Sequence, residues 1–254
     1  MKLLAFDTGT EAMSIAVSRT ADTETRLWLH DAPGGAQASS DLIPAILDLL
    51  QQAGLRLNEL DAICFGCGPG SFTGLRTACS VAQGLAFGAG VPVLPVDSLM
   101  AVAEEARHTS LAHWPSGVLT ALLDARMDEM YCASFEFAAG LWTQLQESCL
   151  LKPEQLLAVS PALPGSLMPW ALAGNVFAVY GERLPAATAA SQTVPRIVAL
   201  PRAAAMLRLA PQLLAQGLAV AAEHALPSYI RDKVAKTTAE RMAEKAAAQA
   251  HAGP

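Results

Sequence analysis

The chain has 254 residues, of which 52% are hydrophobic and 16% charged, with a formal net charge of −6. That length holds one large or two small domains with ample core, and so apolar a composition excludes general disorder outside the C-terminal tail. The acidic balance gives no broad electrostatic footprint for nucleic acid, and no stretch approaches the ~18 uninterrupted apolar residues of a membrane span.

Residues 1–6 run straight into Asp7 instead of a signal-peptide core, so a cytoplasmic protein with no membrane partner is expected. Five cysteines then read as reduced thiols. Cys64-x-x-Cys67 has redox spacing but spans a strand end and a glycine turn, not a helix start. The five histidines form no H-x-x-x-H or H-E-x-x-H array, so no metal site is expected.

Residues 3–6 read as a short apolar strand that stops at Asp7-Thr8-Gly9-Thr10. Residues 13–18 alternate as a half-buried strand does, and residues 26–30 make a third before the Pro33-Gly34-Gly35 break. Two strands joined by an acidic turn with hydroxyls and a glycine can wrap a phosphate, while the aspartate orients a hydrated metal. An ordinary hairpin with an Asp turn fits the same residues. Asp7, Thr8, Gly9 and Thr10 are therefore the candidate cofactor-binding residues.

Residues 42–53 read as a helix whose wet side carries Asp41, Asp48, Gln51 and Gln52. Its apolar arc, Leu42, Ile43, Ile46, Leu47, Leu49 and Leu50, spreads over about 160°, more than the ~100° that packing on one sheet needs. The stretch C-F-G-C-G-P-G-S-F-T-G-L-R, residues 64–76, follows. It reads as strand, glycine turn and helix start, a place where backbone N–H groups welcome anions, with Ser71 as N-cap. No Lys-Ser/Thr follows, so it is not a triphosphatase P-loop. Close backbone packing alone is the other explanation for the glycines. The helix running to residue 87 gathers Thr73, Arg76, Thr77, Ser80 and Gln83 on one side and is apolar around about half its circumference.

A strand at 91–96 and a helix at 98–107 complete a β-α-β-α order, an α/β layout. Residues 118–124 then open a second strand, turn and strand. Aligning Asp124 on Asp7 sets Ala125, Arg126 and Met127 on Thr8, Gly9 and Thr10, and residues 130–137 on the second strand. This reads as a divergent internal duplication whose second turn has lost its glycine and hydroxyls. A nucleotide clamp using both turns would be half dismantled, so the Asp7–Thr10 site would be vestigial. Further on, a helix is expected at 150–159, a strand at 171–180 and a loop at 184–195. A helix at 201–216 with proline at N1 follows, then an extended stretch at 226–231. The lobes are expected at 1–110, joined by the 201–216 helix, and at 111–234, with 235–254 a polar tail, helical or disordered.

Four runs occur in order: Asp7-Thr8-Gly9-Thr10-Glu11-Ala12; Gly66-x-Gly68-Pro69-Gly70-Ser71-Phe72-Thr73-Gly74-Leu75-Arg76; Asp124-Ala125-Arg126-Met127-x-Glu129-x-Tyr131; and Tyr229-Ile230-Arg231. Together they resemble the TsaB (YeaZ) family, the dimerisation subunit of the bacterial complex that makes threonylcarbamoyladenosine in tRNA. The resemblance covers residues 1–234. It implies a two-lobed α/β fold of the actin/hexokinase-like (ASKHA) type and a subunit with no catalytic residues and no cofactor, weak nucleotide binding at a subunit interface being left open. The partners it implies are TsaD in a heterodimer, TsaE in a larger assembly, and a second copy of the chain when alone, with tRNA reached indirectly through the complex and TsaC supplying the threonylcarbamoyl-adenylate. TsaD carries a metal-binding H-x-x-x-H for which the nearest equivalents here are Ser98 and Val102. Ala38 stands where many members have histidine.

Two readings of function follow. One is a scaffold subunit; the other is a stand-alone nucleotide-dependent enzyme of the sugar-kinase or ATPase type, acting through Asp7 and the central turn. For the scaffold, the surplus apolar arcs of the two helices form the expected partner patch. Gly74, Ala78 and Ala82 would permit close approach there, with Leu42, Ile46, Leu75 and Leu85 as anchors.

Overall fold

The computed structural model describes residues 1–21, 24–35, 37–158, 168–185, 188–189 and 192–231. The expected tail at 235–254 lies outside these. Two five-stranded sheets organise the chain. In the first, β1 (Lys2–Asp7) pairs antiparallel with β2 (Ala12–Ala21), which pairs antiparallel with β3 (Glu24–Pro33). On the other side of β1 lie two parallel strands, β4 (Ala62–Gly68) and β5 (Val93–Asp97), giving the order β3-β2-β1-β4-β5.

The second sheet repeats this plan. Its central strand β6 (Ser116–Arg126) is followed by an antiparallel meander through β7 (Glu129–Ala138) and β8 (Leu141–Leu151). Parallel strands β9 (Trp170–Gly174) and β12 (Arg196–Val198) flank β6 on the other side, while the two-residue strands β10 (Thr188–Ala189) and β11 (Gln192–Thr193) pair only with each other. The order β12-β9-β6-β7-β8 is the first sheet's plan over again, so the duplication read from Asp7 and Asp124 is carried by the topology.

Helices fill the layers because each sheet is apolar on both faces. α1 (Ala38–Ala53) and α2 (Phe72–Ala89) cover the outer face of the first sheet, packing Leu42, Ile46 and Ala78 against Leu4, Phe6, Ile63 and Phe65. α3 (Ser98–Ser110) and α5 (Ala203–Ala215) lie between the two sheets and share one core with both. The one-turn α4 (Phe177–Tyr180) and a 3-10 segment at Pro153–Ala158 sit on the outer face of the second. This layered α/β arrangement is the two-lobed actin/hexokinase-like fold. Among the described residues no helix is long and apolar enough to cross a membrane.

Ends and joints are set by local chemistry. Ser71 caps α2, its Oγ accepting from Gly74 N–H at 3.1 Å, and Asp97 caps α3 through Met100 N–H at 2.9 Å. Gly54 (φ 64°) and Gly90 (φ 69°) close α1 and α2 in the left-handed conformation that glycine adopts without a Cβ penalty. Between the sheets, the buried carboxylate of Glu104 accepts from Arg107 Nε (2.9 Å), Arg208 Nε (2.6 Å) and Trp142 Nε1 (2.9 Å), tying α3 to α5 and to β8.

Four local expectations are corrected. The helix expected at 150–159 is shorter and of 3-10 type: β8 runs through Leu151, and a 3-10 helix follows at Pro153–Ala158, residue 159 lying outside the described residues. The strand at 171–180 ends at Gly174, whose φ of 153° brings it so near β6 that a Cβ would fall 1.7 Å from the Leu122 carbonyl oxygen; α4 takes the rest. The stretch at 184–195 holds the small β10–β11 pair. Pro201 lies before the Arg202 N-cap of α5 and not at N1.

Candidate functional site

The first acidic turn is packed directly onto the glycine turn and the start of α2. Asp7, at the end of β1, has no exposed surface; its Oδ1 accepts from Gly9 N–H (2.7 Å) and its Oδ2 from Ser98 Oγ (2.9 Å). Burial pushes the carboxyl up to about 6, against the opposing pull of those two hydrogen bonds. Thr8 Oγ1 donates to the Gly74 carbonyl (2.7 Å), and Ser71 N–H donates to the Gly9 carbonyl (2.7 Å). A Cβ at position 66 would meet Asp7 Oδ2 at 1.8 Å, and one at 74 would meet the Thr8 carbonyl oxygen at 1.9 Å. Close approach is thus what these glycines serve. The Thr8 hydroxyl and the Gly9 and Ser71 amides, which could otherwise meet a phosphate, are engaged within the chain, and a carboxylate without exposed surface offers no face to a hydrated cation. Ser98 is spent on Asp7 and Val102 is buried in the core between the sheets. Among the described residues no group of three or more His, Cys, Asp or Glu could hold a metal ion.

The second turn faces the first across a cleft of about 390 Å³, lined by Gly9, Thr10, Glu11 and Ser71 on one side and by Asp124, Arg126, Tyr131 and Asn175 on the other. Asp124 accepts from Arg126 N–H (2.8 Å) and Tyr180 Oη (3.0 Å), and the Arg126 guanidinium lies 3.1 Å away. Asn175 joins the sides: its Oδ1 accepts from Asp124 N–H at 2.9 Å and its Nδ2 donates to Glu11 at 3.2 Å. Arg126, Met127 and Asp128 take φ of 60°, 54° and 68°, a left-handed run without the glycine that would relieve it. Glu11, Asp124 and Arg126 are the charged residues of this lining, and the adjoining space beyond Arg126 is bordered by Arg76 and Arg231.

The third motif, Tyr229-Ile230-Arg231, is a strap between the lobes. Arg76 Nε donates to Tyr229 Oη at 3.0 Å, and the Phe72 and Tyr229 rings meet in a tilted contact, centroids 5.5 Å apart, beside the start of α2. Two residues on, Arg231 Nη2 reaches Glu129 Oε2 (2.8 Å) and the Arg126 carbonyl (3.3 Å) at the second turn. Sequence supplied the motif without the role; only the fold puts its two ends on different lobes.

The helix pair departs from the expected anchor residues. Leu42, Ile46, Leu75, Ala78 and Ala82 are at most 1% exposed and belong to this chain's own core, Gly74 rests on Thr8, and Leu85 is half-buried. The apolar residues left in solvent are their neighbours on the same helices: Ile43 (44% exposed), Leu47 (49%), Phe72 (47%) and Phe87 (81%). Ser39 Oγ meets Thr77 Oγ1 at 3.4 Å, setting α1 beside α2, and Ile43 and Leu47 continue the Ser39 stripe at steps of four. On α2 the exposed small residues are Ser80, Gly84 and Gly88, again at steps of four, and a Cβ at 84 or 88 would meet nothing within 4 Å. The surplus apolar surface exists, displaced to one side of the expected stripe. Ala38, at the start of α1, is buried.

Residues 25–239 match the family model of TsaD, tRNA N6-adenosine threonylcarbamoyltransferase. The tRNA threonylcarbamoyladenosine biosynthesis protein TsaB of Escherichia coli K12 is 35% identical over 238 residues, covering 92% of this chain and 96% of that protein. The Haemophilus influenzae protein of the same name is 42% identical over 135 residues, 52% of each chain. Among solved structures, YeaZ from Pseudomonas aeruginosa superposes with a TM-score of 0.75 at 36% identity, over 90% of this chain and 99% of that one.

Proposed function

The chain belongs to the TsaB family, and on that premise we propose that it is a non-catalytic subunit of tRNA threonylcarbamoyladenosine biosynthesis that binds TsaD through the α1–α2 face. The carrying observation is the uncovered apolar face of Ile43, Leu47 and Phe87, flanked by the small residues Ser80, Gly84 and Gly88. Apolar side chains beside glycines suit a helix pair laid across them, since small residues let backbones approach while the large ones bury area. A four-helix interface results. Because the TsaD family model also matches this chain, the partner offers a related helix pair, and the same face serves a homodimer when TsaD is absent.

The buried Asp7 and the self-satisfied first turn support a role outside the chemistry. In this reading the turn is a structural joint inherited from a nucleotide-binding ancestor, and transfer to tRNA occurs on TsaD, with TsaE joining the larger assembly. The test is to purify the chain alone and with TsaD. Alone it should turn over no ATP; mixed, the two should elute as one complex and, with TsaE and the threonylcarbamoyl-adenylate, modify tRNA. ATP turnover by the isolated chain that Asp7→Ala abolishes would favour the kinase-like reading instead.

A further inference from the structure

Cys132 in β7 and Cys149 in β8 are direct cross-strand partners in an antiparallel pair. Both are free thiols in the outer core of the second sheet, Cys132 buried and Cys149 half-buried at its margin. Directly opposed residues in such a pair have Cα atoms about 4.5–5.5 Å apart, within the about 4.4–6.8 Å that a disulfide bridges. The ladder is irregular beside them: Cys132 to Ser134 of β7 stands against Cys149 to Gln146 of β8, so the β8 side holds an extra residue. Gln146 turns back onto the pair, its Nε2 donating to Cys149 Sγ at 3.3 Å, while its Oε1 is buried without a hydrogen-bond partner. The neighbouring Cys132 thiol and the Gln146 amide hold the Cys149 thiol below the usual thiol range against the opposing effect of burial. Cys132 is correspondingly pushed up. Burial pushes Cys64 and Cys67 up to about 12, so the C-x-x-C spacing near the central turn yields no thiolate at neutral pH.

We propose that Cys132 and Cys149 form a redox site, oxidised reversibly to a cross-strand disulfide by small-molecule disulfides such as glutathione disulfide, with Cys149 as the attacking thiol. The Cys149 thiolate attacks one sulfur of glutathione disulfide, forming a mixed disulfide and expelling one glutathione thiolate. The Cys132 sulfur then loses its proton to solvent and attacks Cys149 Sγ, forming the protein disulfide and releasing the second glutathione. Two protein thiols are oxidised by two electrons and one glutathione disulfide is reduced to two glutathiones. The bridge pins β7 to β8 one residue from Tyr131, which lines the interlobe cleft. None of this depends on the α1–α2 face.

The experiment is to incubate the reduced full-length protein with glutathione disulfide and follow intact mass and peptide maps. The expected product is lighter by two hydrogens, joins Cys132 to Cys149, and reverts with dithiothreitol. Cys132→Ser should stop at a stable glutathione adduct on Cys149, and Cys149→Ser should slow modification at the pair by at least about tenfold. A stable adduct on wild-type Cys149 with Cys132 still reduced would overturn the proposal. So would a folded protein in which both thiols stay unmodified under conditions where the denatured chain reacts.

Discussion

Thr8 and Gly74 seat the first acidic turn on the start of α2: the Thr8 hydroxyl donates to the Gly74 carbonyl at 2.7 Å, and a Cβ on residue 74 would lie 1.9 Å from the Thr8 carbonyl oxygen. No side chain fits that gap without moving β1's turn away from α2. Gly74→Ala should therefore destabilise the protein by about 3 kcal/mol, the upper part of the range for overpacking a rigid site. Urea unfolding of wild type and variant measures it. A loss under about 1 kcal/mol, no more than an ordinary repacking, would mean the turn is not seated against the helix as described.

Asp7 gives a pH signature. Its folded carboxyl titrates at about 6 against a usual 3.8, so between those values the folded protein holds a proton that the unfolded chain has lost. This contribution to stability is greatest below about pH 4, declines as pH rises to about 6, and is flat above; the difference is of order 3 kcal/mol. Asp7→Asn keeps an acceptor for Gly9 N–H and removes the buried charge. Asp97, also raised by burial, remains in both proteins, so the difference between them isolates Asp7. Asp7→Asn should equal wild type near pH 4 and be the more stable protein at pH 8, as unfolding at the two pH values would show. Equal or lower stability at pH 8 would contradict this structural role.

Glu104 behaves in the opposite sense. Burial raises its carboxyl, but hydrogen bonds from Arg107, Arg208 and Trp142 outweigh it and hold the group below its usual 4.5. The folded pKa being depressed, its stabilisation is present above pH 4.5 and lost as pH falls through the folded value. Glu104→Gln leaves the partly buried Arg107 without its carboxylate and Arg208 with Glu105 alone, and should cost about 3 kcal/mol at pH 7, less as the solution is acidified below 4.5. A cost independent of pH would show that packing, not charge, is what Glu104 contributes.

Much of this was legible in the chain because turns and caps are local. Asp7-Thr8-Gly9-Thr10, the Gly-Pro-Gly-Ser run and the Ser71 cap announce themselves over a few residues, and Asp124 placed on Asp7 exposes the duplication that the two sheets share. β8 was missed because it is an outer strand with much of its surface in water; Leu150 and Leu151 at its end looked like the start of a helix. Which residues of α1 and α2 stay in solvent was not legible, for a geometric reason. An apolar arc of about 160° states that a helix has two buried sides but not which part the sheet takes. Leu42 and Ile43 are adjacent in sequence and about 100° apart on the helix, and only packing sends the first inward and leaves the second in water. The Cys132–Cys149 pair and the strap from Tyr229 to Arg231 depend on register and on contacts across more than a hundred residues, which no local pattern encodes.

Gly84 offers the most direct test of the α1–α2 face as the TsaD-binding surface. It is exposed in mid-helix with open space where its Cβ would be, so Gly84→Arg meets no intrachain obstacle and should stabilise α2 by up to about 1 kcal/mol through helix propensity. At an interface of closely approached helices, the same arginine would be an unpaired charge in a dry contact. The measurement is the dissociation constant for TsaD, wild type against Gly84→Arg, with thermal unfolding of each free protein alongside. The expected variant is at least as stable as wild type, and its affinity for TsaD falls at least about a hundredfold, the effect of a loss near 3 kcal/mol. A folded Gly84→Arg protein that binds TsaD as tightly as wild type would contradict this assignment.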